Sequence, residues 1–256
     1  MSRYAISDIH GCFSEFQQVL ELAGFDDEKD ELYILGDIID RGLEIAECIE
    51  WLVKNAANIE GSNVHFILGN HEEMALWSFV GRWSRRVVEE SFMYNWLVNG
   101  GQATMDQIAK VDDEILDMFQ IILEDAPKAL AIKIGDEKIV MSHAGVRAPV
   151  NIEDEAEWMV QSEDDLLWNA RQWYVDFNTP PFHVVSGHLP TSALAQDDRI
   201  DDVCPRDVIL DGLQNYIMQW NNKHDVDCGC VFGGNMGLLR LDDWKTFHVP
   251  RSEYLA

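Results

Sequence analysis

Five times along the chain a short apolar run ends in a small residue followed by a polar residue of metal-ligand type. Tyr4-Ala5-Ile6 leads to Asp8, Leu32-Tyr33-Ile34-Leu35 to Gly36-Asp37, and Val64-His65-Phe66-Ile67-Leu68 to Gly69-Asn70. Ile139-Val140-Met141 leads to His143, and Val184-Val185 to Gly187-His188. Unbroken apolar runs of this length predict strands buried on both faces. Between them the spacing turns helical, as in Phe16-Val19-Leu20 and Ile45-Cys48-Ile49-Leu52. Strands alternating with helices predict an α/β architecture. In such sheets the polar residues at the carboxyl ends of strands line the ligand crevice. Five ends carrying Asp, Asp, Asn, His and His therefore predict one convergent site.

From about residue 73 to 129 the strand signal vanishes. The segment is rich in Trp, Met and charge, and Ile115-Met118-Phe119-Ile122 has helical spacing, which predicts a helical insertion over one end of the sheets. Strand patterns return in the tail at Val231-Phe232, Leu238-Leu239-Arg240-Leu241 and Thr246-Phe247-His248-Val249, with turn residues between them. Without internal repeat or Gly/Ser linker, residues 1–256 read as a single domain carrying the insertion.

Composition narrows the picture. Nine Trp and eleven Phe within a 47% hydrophobic chain of 256 residues supply a substantial core and exclude disorder as the main state. No charge-free window approaches the length of a membrane span, and the first residues lack the apolar stretch of a signal peptide. Five scattered cysteines make no disulfide framework, so the expected compartment is the cytoplasm. Forty-six acids against 19 bases give a net charge of −27, which predicts neither nucleic-acid binding nor association with anionic membranes. The acids form runs such as Asp112-Asp113-Glu114 and Glu163-Asp164-Asp165. They read as solvated loops and helix N-termini, or as a docking surface for a basic partner. Arg82, Arg85 and Arg86 form the only basic cluster, which either draws anionic substrates or balances nearby acids.

The candidate chemistry lies in the motifs that close the strands. On an extended chain, Asp8 and His10 would share one face, and an oxygen with an imidazole nitrogen suits Mn, Fe or Zn. In Gly36-Asp37-Ile38-Ile39-Asp40-Arg41-Gly42, Asp37 ends a strand where its carboxylate can bridge two cations, with Asp40 and a guanidinium close behind. In Gly69-Asn70-His71-Glu72, Asn70 offers a neutral amide oxygen or a helix cap, and His71 is a candidate general acid. His143 and His188 each stand where a strand stops. His65, His183, His224 and His248 lie outside these motifs and read as structural. Cys228 and Cys230 read as small buried hydrophobes rather than a redox or metal pair.

Taken in order, these blocks resemble the calcineurin-like metallophosphoesterase superfamily. Asp40-Arg41-Gly42 and Gly187-His188-Leu189-Pro190 are similar to its phosphoprotein phosphatase branch in bacteria and phages. Pro190 stands where the nucleases and phosphodiesterases usually carry a second His. Trp96-Leu97-Val98-Asn99-Gly100-Gly101-Gln102-Ala103-Thr104, Leu166-Leu167-Trp168-Asn169-Ala170-Arg171, Asp227-Cys228-Gly229 and Phe232-Gly233-Gly234 extend the resemblance to the related dinucleoside-tetraphosphate hydrolases. It implies an αββα sandwich and two divalent ions, Mn²⁺ first with Fe or Zn as alternatives. One ion would be held by Asp8, His10 and Asp37, the other by Asp37, Asn70, His143 and His188, with a bridging hydroxide attacking phosphorus. His71, oriented by Asp40, would protonate the leaving group, and Arg41, Arg171 and Asn70 would hold the phosphoryl oxygens. The implied substrate is phosphoserine or phosphothreonine in a protein, with phosphotyrosine also open. A dinucleoside polyphosphate or a capped RNA end is the alternative, and a catalytically dead binding module a remote one. Leu68 departs from the pattern, because protein phosphatases commonly carry Arg there.

Overall fold

The computed structural model describes residues 1–55, 60–78, 90–149, 151 and 153–252. Two five-stranded mixed sheets stack face to face. The first contains β1 (Arg3–Ile6), β2 (Glu31–Ile34), β3 (Val64–Phe66), β9 (Asn235–Arg240) and β10 (Lys245–Pro250), in the order β10-β9-β1-β2-β3. The second contains β4 (Ala129–Ile134), β5 (Glu137–Ser142), β6 (His183–Ser186), β7 (Met218–Trp220) and β8 (Lys223–Asp225), in the order β4-β5-β6-β8-β7. β1, β2 and β3 run parallel, as do β5, β6 and β8, so the carboxyl ends of these six strands open toward one crevice. Antiparallel pairing adds β9 and β10 at one edge of the first sheet and β4 and β7 at the two edges of the second.

The expected double burial is visible residue by residue. Tyr4, Ile6, Leu32, Ile34, Val64 and Phe66 face an outer helical layer, while Ala5, Tyr33, Leu35 and Ile67 face the other sheet. In the second sheet Val140 and Val184 point outward, and Ile139, Met141 and Val185 point inward. Alternation on strands covered on both faces leaves no polar side, which is why these runs are continuously apolar.

Helices α1 (Phe13–Ala23) and α2 (Ile45–Lys54) cover the first sheet, and α2 buries Ile45, Cys48, Ile49 and Leu52 as its spacing predicts. Four helices follow: α3 (Asn70–Ser78), α4 (Glu90–Trp96), α5 (Gln102–Ile108) and α6 (Asp113–Asp125), with a kink at Gly100 (φ 108°) between α4 and α5. α6 forms where the spacing of Ile115-Met118-Phe119-Ile122 predicts a helix. It buries Leu116, Phe119, Ile122 and Leu123, while Ile115 is half-buried and Met118 exposed, because the apolar stripe is offset by one position. The second sheet is covered by short helices, α7 (Glu155–Trp158), α8 (Glu163–Leu167), α9 (Ala170–Val175), α10 (Thr191–Leu194) and α11 (Arg206–Leu213). The acidic runs open α6 and α8, and Ser162 and Asp165 form a capping box on the latter. Val231-Phe232 is a correction: these residues lie in a 3₁₀ turn, Cys230–Phe232, flanked by Gly229 and Gly233 at φ 68° and 90°, which a strand cannot accommodate. Among the described residues no helix is long and apolar enough to cross a membrane.

Candidate metal centre

Every strand-end motif reaches the crevice. Asp37 lies at its middle: its Oδ2 is 3.5 Å from His10 Nε2, 3.4 Å from His143 Nε2 and 3.8 Å from His71 Nε2. Asp8 Oδ1 is 3.9 Å from His10 Nε2. Asn70 does not cap α3; its Oδ1 lies 2.8 Å from His143 Nε2 and 3.0 Å from His188 Nδ1. Asp8, His10, Asp37, Asn70 and His143 are buried, and His188 is half-buried at the rim.

The backbone that gathers them is not extended. Asp8, His10, Asp37 and His188 have φ of 53°, 43°, 56° and 70°, and Asp40 and Arg41 follow at 71° and 69°. The same-face argument for Asp8 and His10 is therefore corrected: left-handed kinks past the strand ends, not strand alternation, bring the two side chains together. Such residues cost roughly 1–3 kcal/mol each and persist where the surroundings over-determine them. Here Asp8 N–H donates to Gly36 O, His10 N–H to Asp37 O and Gly11 N–H to Ile38 O, locking the first two loops together. Asp8 Oδ2 accepts from Ser7 Oγ and from His188 N–H, tying the first loop to the fifth. Gly36 and Gly69 let the second and third loops touch: a Cβ on Gly36 would lie 2.4 Å from Gly69 Cα.

Glu72 was not singled out from sequence, yet it staples these loops. Fully buried, its carboxylate accepts from Asp37 N–H (2.8 Å), Ile38 N–H (2.9 Å), Gly69 N–H (3.2 Å) and Ile39 N–H (3.3 Å). Burial and the neighbouring Asp37 push its carboxyl up to about 7. The helical segment supplies three more unforeseen groups. Asp40 is fixed by Thr104, whose hydroxyl donates to Oδ1 at 2.5 Å and accepts from Asp40 N–H, and by Trp96 Nε1–H, which donates to Oδ2 at 2.8 Å. Gln107 bridges Ile45 N–H and Gly42 O. Trp96 and Thr104 lie in the motif that carried the resemblance, which was the available signal. With Asp40 fixed, its Oδ2 holds His71 Nδ1 at 2.6 Å and aims Nε2 into the crevice.

Arg41 also enters the site. Its Nη1 lies 2.5 Å from His10 Nε2 and its Nη2 2.8 Å from His71 Nε2, and Gly100 at φ 108° leaves room for its stem. Arg171 is not brought there. Half exposed, it donates from Nη1 to Asp197 at 2.5 Å, the carboxylate that Arg199 also grips. The structure thus places Arg171 on the surface with Asp197 and does not bring it into the crevice. The Arg82, Arg85 and Arg86 cluster lies outside the described residues.

The donor set fits divalent cations. His10 Nδ1 and His143 Nδ1 lie 2.6 and 2.7 Å from the carbonyl oxygens of Ile39 and Leu35, an arrangement that assigns the proton to Nδ1 and turns the Nε2 lone pairs into the site. Burial and the adjacent His71 hold His10 well below the usual imidazole range, and burial with His143 takes His188 down to about 3, so both are neutral donors. Burial raises Asp8 and would raise Asp37, but the imidazoles of His143, His71 and His10 outweigh it and hold Asp37 well below the usual carboxylate range. Burial opposes a charge on His143, yet Asp37 and Asp8 lift it to about 10. A proton on His143 thus offsets the carboxylates, and a divalent cation would displace it, coupling cation uptake to proton release.

A crevice of two carboxylates, one amide and three imidazoles, with an Asp-oriented His beside it, defines a metal-dependent hydrolase of phosphoric esters or anhydrides. The calcineurin-like phosphoesterase family model matches residues 1–235, and the chain belongs to that family. It is 24% identical to the symmetrical bis(5'-nucleosyl)-tetraphosphatase of Chromobacterium violaceum over 99% of this chain and 97% of that protein. It is 26% identical to serine/threonine-protein phosphatase 1 of Salmonella typhimurium over 93% of this chain and 91% of that protein. Among solved structures, one provisionally described as a diadenosine tetraphosphatase aligns at a TM-score of 0.57 and 17% identity, covering 98% of this chain and 94% of the other. That likeness supports the αββα fold.

Proposed function

We propose that this hydrolase is a phosphomonoesterase acting on phosphoserine and phosphothreonine in proteins, with phosphotyrosine also accepted, and that it works with two divalent cations, Mn²⁺ foremost. Asp8, His10 and Asp37 would hold one cation, and Asp37, Asn70, His143 and His188 the other. When bound, such a pair supplies Lewis acidity toward phosphoryl oxygens and water ionised at neutral pH. Arg41 and the Asn70 amide face the same space and would orient the phosphoryl oxygens, Arg41 through a planar fork suited to them.

The observation that carries the ester reading is the His71–Asp40 pair. Serine and threonine leave as poor alkoxides and need a proton in the transition state, whereas a nucleotide leaves as a stabilised phosphate. Asp40 accepts from Trp96 and Thr104 and holds His71 Nδ1, which aims Nε2 into the crevice; there it accepts from Arg41 Nη2, and once protonated it would donate to a leaving oxygen. A positioned acid contributes about 10²–10⁴-fold. The near full-length similarity to a nucleosyl-tetraphosphatase supports a second reading, hydrolysis of dinucleoside polyphosphates by the same residues.

The test is a panel of phosphoserine peptide, p-nitrophenyl phosphate and diadenosine tetraphosphate, assayed on metal-stripped enzyme reconstituted with Mn²⁺, Fe²⁺ or Zn²⁺. Phosphopeptide turnover that returns with the metal is expected, and His71→Asn should lower it roughly 10²–10⁴-fold while cation content stays near wild type. Turnover of the tetraphosphate alone overturns the first reading. Full activity in verified metal-free protein overturns both.

A further inference from the structure

Beside the metal centre, on the Asn70 and His188 side, lies a cavity of about 460 Å³ that no proposed step uses. Its lining includes Leu68, Glu73, Trp77, Glu124, Asp125 and Glu163, with Lys128 as the single cation among the described residues. Three features connect it to the reaction site. Leu68 immediately precedes Gly69-Asn70 and is buried in the cavity wall. Glu73 stands three residues beyond Asn70 on α3, about 4.5 Å along the axis. Trp168 donates from Nε1 to Glu73, and its ring centroid lies 6.1 Å from that of His188.

The charges on the wall are one-sided. Lys128 is taken by Glu163. Among the described residues Glu73 accepts from the Trp168 indole and Glu124 from the Gln120 amide, both neutral donors, and Lys128 is the cation that acts on Glu73. Carboxylates grouped around an indole match a guanidinium or ammonium on an alkyl stem: the acids take the charge, and Trp77, Leu68 and Leu123 take the stem. A second phosphate chain would meet like charge there. Leu68 matters for the same reason. An arginine at this position would place a cation on the cavity wall among these acids. Leucine leaves them open.

We propose that this cavity binds a lysine or arginine side chain of the phosphoprotein, one to three residues from the phosphorylated one, making the enzyme selective for basic phosphosites. The proposal rests on the phosphomonoesterase reading and names its substrate class. Exposed ion pairs and a cation over an indole each contribute modestly, so the expected preference is roughly 5–30-fold in kcat/KM, mostly through KM. It should shrink at high salt, which screens such pairs.

The experiment measures kcat/KM for phosphoserine peptides that differ only in carrying Arg, Ala or Glu at each flanking position from −3 to +3. Wild type is compared with Glu124→Gln/Asp125→Asn and with Leu68→Arg. The double variant replaces exposed side chains, and Leu68→Arg supplies an internal cation by a different route. An Arg-over-Ala ratio of roughly 5–30 in wild type, falling to within about twofold in both variants, is expected. A wild-type ratio near one, or a ratio kept in both variants, overturns the basic-site proposal while leaving the proposed function intact. Tetraphosphate turnover without any phosphopeptide turnover overturns the two together.

Discussion

Replacing Glu72 by glutamine tests whether one carboxylate holds the metal loops together. Each of its oxygens accepts two backbone N–H groups: Oε2 from Asp37 and Gly69, Oε1 from Ile38 and Ile39. In glutamine one oxygen becomes an NH₂ that donates and cannot accept. Either rotamer sets that group against two buried N–H donors, so flipping the amide offers no escape. Leaving a buried donor unsatisfied costs about 1–3 kcal/mol, which for two gives a destabilisation of about 2–6 kcal/mol. For a domain of this size 2 kcal/mol corresponds to a melting point lower by about 4–8 °C. Because Glu72 joins the loop of Asp37 to that of Gly69-Asn70, cation affinity should fall along with stability. Thermal and urea unfolding of metal-free protein give the first quantity and calorimetric Mn²⁺ titration the second, with Glu114→Gln on the exposed first turn of α6 as control. Stability within 1 kcal/mol of wild type with affinity within about twofold would refute the stapling argument.

Further outcomes follow from other parts of the structure. Thr104→Val keeps shape but removes the hydroxyl from Asp40; at about 1.5–3 kcal/mol for a hydrogen bond to a charged group, kcat on a phosphoserine peptide should fall at least about tenfold, and less on p-nitrophenyl phosphate. Equal losses on both substrates would mean that Thr104 does not act through His71. Lys223 is fully buried, donates to the carbonyls of Trp173 and Asp176, and is lowered by burial from 10.5 to about 8. Between these values the unfolded chain binds more protons than the folded one, so stability should rise with pH from about 8 to 10.5, by about 2–3 kcal/mol, and Lys223→Met should flatten that rise in urea titrations at pH 7.5, 9 and 10. A wild-type curve that falls over this window would show that the ammonium is the form the fold prefers.

The parts of the molecule that were legible from sequence are those in which one local pattern has one physical cause. Tyr4-Ala5-Ile6 and Ile139-Val140-Met141 are apolar without interruption because both faces are covered, and the residues that follow must then meet at the strand ends. β7 and β8 escaped because Met218–Trp220 and Lys223–Asp225 are three-residue strands with Lys223, His224 and Asp225 buried, so no apolar run announces them. The structural reading of the outlying histidines agrees with their surroundings: His65 stacks on Tyr33, His183 and His224 pack under Trp244, and His248 accepts from Ile217 N–H. The position of Arg171 was not legible, because a motif names a residue without its neighbours. Asp197, 26 positions away, decides where that guanidinium goes. Glu72 was visible only as a letter in Gly-Asn-His-Glu, since three amides of the distant Asp37–Ile39 loop join that of nearby Gly69 on it only after folding.

The distribution of strain explains why the ligand motifs are so compact in sequence. Within Asp8–Arg41 five non-glycine residues occupy the left-handed region, and all five stand at the metal site or beside it. A strand end alone delivers one side chain to the crevice. A left-handed kink directly after it turns the chain and delivers a second within two or three positions, as in Asp8 with His10 and Asp37 with Asp40. The unfavourable dihedrals are offset by the backbone bonds from Asp8, His10 and Gly11 into the second loop and by the Glu72 staple. Loops folded in this way place the Asp8 and Asp37 carboxylates close enough to repel one another. The proton carried by His143 relieves that repulsion, and a divalent cation would relieve it further. The same arrangement thus accounts for the strain and the perturbed imidazoles, and it makes the demand for metal a consequence of how the backbone turns.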